Sequence, residues 1–341
     1  METEPAAITT LAASVEVGFN SPLPVQHHWV LRQLPHLGGA VRIKNNMTRR
    51  EISKSLARMP DDDEKAQSSA RTALDNMLYR ERLTAKKNGH KPNFYASYIF
   101  DEMLAYVIAG HDTTSNTLTW GLIYLADNQQ PQAQLRDQLR AVFTAAIAEK
   151  RQPTVQEIIK AQAPYLDATI EEILRCSVVL PNVTREALVD TTILGYHIPK
   201  GTLVMCLSNG PSFFSPGIPV NDELRSPSSK AAPESSLGSW SPEDMHLFKP
   251  ERWLEESDES EIIFNPRRGP MNSFGGGPRG CFGKRLAYLE LRVVIALLFF
   301  NFKLHSVPPN MRSDKRVEHI TVEPAECLVN LEDAPLWVST T

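Results

Sequence analysis

Residues 274–283 read Phe274-Gly275-Gly276-Gly277-Pro278-Arg279-Gly280-Cys281-Phe282-Gly283. Five glycines around one cysteine, next to a helix-forming run, need a physical cause. Glycine permits positive φ and lets backbone approach a ligand closely. A cysteine at the start of a helix sits at the positive end of the dipole, which favours thiolate. Such a loop suits a flat ligand whose metal is held by one sulfur. Arg279, two residues before the cysteine, is placed to pair an anionic group of that ligand. The bland alternative is a glycine-rich turn around a buried, inert thiol. A phosphate loop is excluded, because Gly283-Lys284 is followed by Arg285 where Ser or Thr is required.

Three upstream segments bear on the choice. Phe248-Lys249-Pro250-Glu251-Arg252-Trp253 places an arginine shortly after a proline and before an aromatic residue. Glu172 and Arg175 stand three apart in Glu171–Arg175 and face each other on a helix. Alone they read as an exposed ion pair worth about 0.5 kcal/mol, unless Arg252 completes a Glu–Arg–Arg network. Farthest out, Ala109-Gly110-His111-Asp112-Thr113-Thr114 interrupts an apolar stretch. Gly110 costs about 1 kcal/mol against Ala inside a helix, adjacent threonines loosen the ladder, and a buried Asp112 needs a partner. A bend carrying a hydroxyl and a carboxylate makes a proton path; a packed bend with satisfied polar groups fits equally well.

Around these segments the chain reads as many helices with a small sheet. Periodicity predicts helices over 6–17, 66–87, 97–128, 131–150, 155–176 and 281–300. The 97–128 helix, nearly free of charge from Met103 to Ala126, is expected to be buried through the middle of a domain. Short β-type runs fill 182–207, with turns at Gly195 and Pro199-Lys200-Gly201, and strand-like alternation returns after Phe302. The Ser/Pro-rich stretch 207–245 is expected to be a long surface loop. The fold class is therefore mainly α with small β-sheets (α+β).

Composition excludes several functions. With 36 Lys+Arg against 40 Asp+Glu in 341 residues, no basic excess points to nucleic acid. Four scattered cysteines, none in a C-x-x-C pair, argue against a disulfide scaffold or a zinc ribbon and fit a reducing compartment. The longest apolar run, Val293–Phe300, is far shorter than the ~20 residues of a membrane helix.

Taken together and in order, the four segments resemble the cytochrome P450 family. F-x-x-G-x-R-x-C-x-G is met at Phe274, Gly277, Arg279, Cys281 and Gly283. [AG]-G-x-[DE]-T-[TS] is met at Ala109, Gly110, Asp112, Thr113 and Thr114. E-x-x-R is met at Glu172 and Arg175, and P-E-R-[FW] at Pro250–Trp253. The likeness runs from about Ala66 to the C-terminus, and the Ser/Pro-rich stretch looks like an insertion of filamentous-fungal members.

The resemblance implies a haem (iron protoporphyrin IX) cofactor with Cys281 as the metal ligand. It implies that Arg279 and Arg185 pair the haem propionates, that Asp112 and Thr113 are the catalytic acid–alcohol pair for proton delivery, and that Ala109 faces the oxygen pocket. Glu172, Arg175 and Arg252 would hold the cysteine loop. The implied activity is a haem-thiolate monooxygenase acting on a small organic substrate in secondary metabolism. Electrons would come from NADPH through a separate cytochrome P450 reductase docking on Arg267, Arg268, Lys284 and Arg285; those residues read equally well as a solvated basic cluster. Family members of this type sit on the cytoplasmic face of the endoplasmic reticulum membrane. This chain shows no anchor and would be cytoplasmic as given. It also shows no W-x-x-x-R, since Trp29 is followed four residues on by Gln33. The expectation is thus a partial cytochrome P450 domain over 1–341, lacking its N-terminal portion. Residues 1–95 would be lid helices and 96–341 the haem-binding catalytic part, with the Ser/Pro-rich loop at 207–245. The competing reading is a non-catalytic truncated remnant with weak or no haem binding.

Overall fold

Prolines and capping residues decide where the helices begin and end. The computed structural model describes residues 3–337, apart from 20, 22, 32, 228–229, 231–239, 312–314 and 319–320. The chain divides into two units, 1–111 and 112–341, and the division falls inside one long helix.

The first unit is helical: α1 (Glu4–Phe19), α2 (Pro24–Leu31), α3 (Pro35–Arg58), α4 (Asp63–Ser69), α5 (Ala73–Lys87) and the first part of α6 (Ser97–Asp127). The single helix expected over 66–87 is two. Thr72 breaks it with a capping box, its hydroxyl accepting from the Asp75 amide at 3.1 Å while the Asp75 carboxylate accepts from the Thr72 amide at 3.0 Å. Asp75 also accepts from Ser55 and, at 3.2 Å, from Arg58, which ties α5 to α3. Ile52, Leu74, Leu78, Ile99 and Phe100 form one small core, and Ala7, Leu11, Leu37 and Ala40 another.

The second unit holds the rest of α6, then α7 (Gln129–Val142), α8 (Thr144–Ala148), α9 (Val155–Lys160) and α10 (Pro164–Ser177). The helices expected over 131–150 and 155–176 are each split, the first at Phe143 and the second where Pro164 opens α10. Four strands follow: β1 (Asn182–Glu186), β2 (Thr191–Ile193), β3 (Tyr196–Ile198) and β4 (Leu203–Leu207). β1 pairs antiparallel with β4, setting Arg185 opposite Val204, and β2 pairs with β3 through a turn whose Gly195 has φ +84°. Next come β5 (Leu254–Glu256), β6 (Ile262–Phe264), α11 (Lys284–Asn301), β7 (Phe302–His305), β8 (Arg316–Glu318), β9 (Val322–Pro324) and β10 (Asn330–Asp333). The named strands pair two by two and antiparallel among the described residues. The main core joins α6, α7, α10 and α11 through Leu125, Leu135, Leu139, Leu166, Ile170, Ile173, Leu291, Ile295 and Phe299.

Two further expectations are corrected. The long loop is not wholly at the surface: Trp240 and Met245 turn inward and join Ala168 and Trp253 in a buried cluster. Part of that loop, 228–229 and 231–239, lies outside the described residues. Nor is α6 buried through its middle: residues 103–116 are half-buried or exposed, while Ile99, Phe100, Trp120, Leu125 and Ala126 are buried. A helix apolar on all sides needs neighbours on all sides; the described elements cover the middle of this one only in part.

Candidate active site

Glu172 is the centre from which the site is built. It is 0% exposed and sits on α10, where nearly every residue from Tyr165 to Ser177 is buried. Arg175 grips its carboxylate with two bonds of 2.8 Å each. Arg252 donates at 3.0 Å, the Trp253 indole at 2.9 Å and the Lys249 amide at 2.7 Å. The pair is therefore no exposed ion pair. Spare donors of Arg175 reach the carbonyls of Phe213, Met245 and Leu247 at 2.8–3.0 Å. A buried charge needs this density of partners to offset its desolvation. The network clamps Phe213 and the stretch 245–253 onto α10 and so positions the chain that leads to the cysteine loop.

That loop is held at both ends. Ser273 Oγ donates to the Leu174 carbonyl of α10 at 3.0 Å, and the Cys281 amide donates to the Phe274 carbonyl at 2.8 Å. Gly275 and Gly277 have φ of +62° and +63°, a region costly for any other residue. A one-turn 3-10 helix, Gly277–Arg279, brings the chain round to Cys281. Cys281 is exposed and unpaired, and α11 starts only at Lys284, so the thiol lies in the loop ahead of the helix and not inside its first turn. Beside it Phe282 is 81% exposed.

A flat group ligated by one sulfur fits these residues. The sulfur is accessible, the loop backbone is opened by left-handed glycines, and a Cβ at Gly276 or Gly277 would meet nothing within 4 Å. Arg279 and Arg185, on the loop and on β1, are both exposed; Arg185 donates to the Thr184 carbonyl at 2.9 Å. Cys176, by contrast, is buried, and burial pushes its thiol up, as suits an inert packing residue.

Asp112 and Thr113 lie half-buried on α6, which continues as helix through Gly110. Back-bonding is seen in the following turns: Ser115 Oγ donates to the Asp112 carbonyl at 3.2 Å and Thr117 Oγ1 donates to the Thr113 carbonyl at 2.8 Å. Gly121 lets α6 approach α10 closely, since a Cβ there would stand 2.9 Å from Ile173. The helix bearing Asp112 and Thr113 and the helix following Cys281 thus share one core. Ala109 is exposed on α6 in the other unit. Of the basic cluster, Arg267, Arg268, Lys284 and Arg285 are all exposed, and Arg268 pairs with Glu255 at 3.6 Å.

Two residues passed over in the sequence join this architecture. Tyr288 on α11 donates to Glu171 on α10 at 2.7 Å, and its ring lies 5.2 Å from that of Phe274. Glu171 adjoins the obvious Glu172, and nothing in its spacing marks it as buried.

A family profile described as Cytochrome P450 matches residues 7–210 and 242–330. The likeness therefore begins well before Ala66, and the stretch left unmatched falls in the Ser/Pro-rich loop. Cytochrome P450 monooxygenase TRI13 of Fusarium sporotrichioides is 38% identical over 93% of this chain and 56% of its own length. The Hps1-dma1 cluster cytochrome P450 monooxygenase cyp3.1 of Dothistroma septosporum is 39% identical over 86% of this chain and 98% of its own length. A Pestalotiopsis microspora cytochrome P450 monooxygenase, GME11363, is 37% identical over 89% of this chain and 54% of its own. The chain thus spans about half the length of two of these relatives and nearly all of the third. The fold matches the crystal structure of the cytochrome P450DA heme domain with a TM-score of 0.63 and 19% identity, over 97% of this chain and 60% of that one. No helix among the described residues is long and apolar enough to cross a membrane. With the cysteine loop, the buried Glu–Arg–Arg network and the profile match over most of its length, this chain belongs to the cytochrome P450 family.

Proposed function

We propose that the protein is a haem-thiolate monooxygenase that inserts one atom of O2 into a small organic substrate. The observation that carries the reading is the exposed Cys281 thiol in a loop shaped by left-handed Gly275 and Gly277 and tied to Phe274. Cys281 would hold the haem iron, and Arg279 and Arg185 would pair its propionates. When bound, the thiolate-ligated haem supplies the O–O cleavage chemistry. The overall balance consumes O2, two electrons and two protons per substrate hydroxylated, and releases one water. The chain's own part is ligation, proton supply and exclusion of bulk water. Asp112 and Thr113 form the proton path: the carboxyl exchanges its proton with solvent, and the Thr113 hydroxyl passes one inward. The electrons come from NADPH through a separate reductase that docks on Arg267, Arg268, Lys284 and Arg285, an arrangement of charge that steers an acidic partner. Three fungal monooxygenases at 37–39% identity support a place in secondary metabolism.

The test is the CO-difference spectrum of the reduced, haem-supplied chain. A red-shifted thiolate Soret band is expected in the parent, lost in Cys281→Ser, and kept in Cys176→Ser, Cys206→Ser and Cys327→Ser. A band that persists in Cys281→Ser overturns the ligand assignment. A parent with no haem at all supports the truncated, non-catalytic remnant instead.

A further inference from the structure

The loop that carries Cys281 is fixed from one side by a group that haem ligation does not explain. The Cys281 amide donates to the Phe274 carbonyl at 2.8 Å, and the Phe274 ring rests on Tyr288 with centroids 5.2 Å apart. The Tyr288 hydroxyl donates to Glu171 Oε1 at 2.7 Å, and Glu171 Oε2 is buried with no partner among the described residues. Lys284 Nζ lies over both rings, at 5.6 Å from Phe274 and 5.8 Å from Tyr288. A buried carboxylate left half-satisfied is costly, so its retention at this junction calls for a role.

We propose that Glu171 and Tyr288 are a positioning pair for the cysteine loop, acting on Cys281 through the ring and carbonyl of Phe274. The proposal rests on the haem-thiolate reading for its purpose, but not for its geometry. Neither residue reaches the sulfur; the chain of contacts runs carboxyl, phenol, ring, carbonyl, amide. Burial lifts the Glu171 carboxyl to about 7, and the groups facing it are Tyr288 and Lys284 from α11 and Asp167 from its own helix, itself paired with Arg292. The pair is consequently titratable near neutral pH. Ionised, Glu171 accepts a charge-assisted bond from Tyr288 and attracts Lys284, and such bonds are about twice as strong as neutral ones. The loop is held more tightly above that pH than below it.

Amide hydrogen exchange of residues 274–283 in the full chain tests this without haem. Dividing each variant's protection by the parent's at the same pH removes the intrinsic pH dependence of exchange. Tyr288→Phe keeps the ring and removes only the hydroxyl, and is expected to lower protection of the Cys281 amide about tenfold above pH 7. Glu171→Ala should do the same, and the double variant should lose no more than either single one. In the parent, protection should rise through an inflection near pH 7, the value to which burial brings Glu171. Glu171→Gln should retain protection at low pH and lose the inflection, a signature that a purely structural residue would not give. Unchanged protection in Tyr288→Phe, or an inflection surviving in Glu171→Gln, overturns the proposal.

The haem-supplied chain supplies the second arm. Tyr288→Phe should convert part of the thiolate Soret band to the blue-shifted form. If the band depends on Cys281 but ignores Tyr288→Phe, the positioning role fails while the ligand assignment stands. If loop protection falls in Tyr288→Phe while the parent binds no haem, the pair positions the loop and the haem reading fails.

Discussion

Among single residues, Glu172 shows most clearly how burial changes meaning. In the sequence it is one of two adjacent glutamates, and spacing to Arg175 marks it only as a helical neighbour. In the fold it accepts from Arg175, Arg252, Trp253 and the Lys249 amide at 2.7–3.0 Å, with no exposure to solvent. Glu172→Gln removes the counter-charge, leaving the buried Arg175 guanidinium uncompensated and Arg252 with Asp244 alone, at 3.1 Å, among the described residues. A loss of about 3–5 kcal/mol is expected, read as a fall in the urea midpoint. The conservative Glu172→Asp should fare little better, because the shorter arm cannot meet all these donors. Thr113 belongs at the same scale. Thr113→Ala alters only the side chain, and the Thr113 carbonyl keeps its bond from Thr117 Oγ1 at 2.8 Å. In a turnover-competent enzyme, Thr113→Ala should keep haem and CO binding but divert reducing equivalents to hydrogen peroxide. Unchanged coupling of NADPH consumption to product would exclude Thr113 from proton supply.

Elements were legible in the sequence where one pattern dominated, and illegible where two competed. The 97–128 helix came through because thirty residues without a break leave no alternative to helix, and it ends at Asp127. The turns at Gly195 and Gly201 came through because both take φ of +84°, which their glycines announce, but the first closes a hairpin while the second leads β4 back to pair with β1 instead of β3. The helix expected over 66–87 failed because its polar face runs continuously in period across Thr72, while the capping box that ends one helix and starts the next is a local chemistry overriding the period. Pro164 overrode a continuous apolar pattern in the same way. The cysteine loop was readable because its chemistry is carried by residue types, whereas the Glu171–Tyr288 contact joins α10 and α11 across a separation of 117 residues that no spacing reveals. Packing between α6 and α10 was equally hidden, and it makes a test. A Cβ at Gly121 would stand 2.9 and 3.2 Å from two Ile173 side-chain carbons. Gly121→Ala gains helix propensity of about 1 kcal/mol, and Ile173 can shift by a few tenths of an ångström, so stability should change little. Gly121→Val cannot be absorbed and should cost about 1–3 kcal/mol by overpacking, measured as a lowered Tm.

Across the whole molecule, the two units carry opposite responses to pH. In residues 1–111 burial works to raise the Asp75 carboxyl, but bonds from Ser55 and from the Arg71 and Thr72 amides outweigh it and hold it at about 2, below its ordinary 3.8. A depressed acid stabilises the fold above its unfolded value and loses that contribution as pH falls through the folded one. This unit should therefore weaken between pH 3.8 and about 2. In residues 112–341 Glu171 behaves the other way, because burial lifts it from 4.5 to about 7. A raised acid binds its proton more tightly folded than unfolded, so its stabilisation is complete below pH 4.5 and is lost as pH rises towards 7. Asp167, also raised by burial, adds in the same direction. Shifts of this size are worth about 1.4 kcal/mol per pKa unit, which gives Glu171 a contribution of about 3–4 kcal/mol. The tightening of the cysteine loop on ionisation is a local gain set against this global loss. Thermal melts between pH 4 and 8 should accordingly show the second unit losing stability with rising pH. Glu171→Gln, neutral throughout, should flatten that slope and raise stability at pH 8 by about 1–3 kcal/mol, while leaving the acid limb set by Asp75 in place. A slope that survives in Glu171→Gln would assign the pH response to other groups and remove Glu171 as its source.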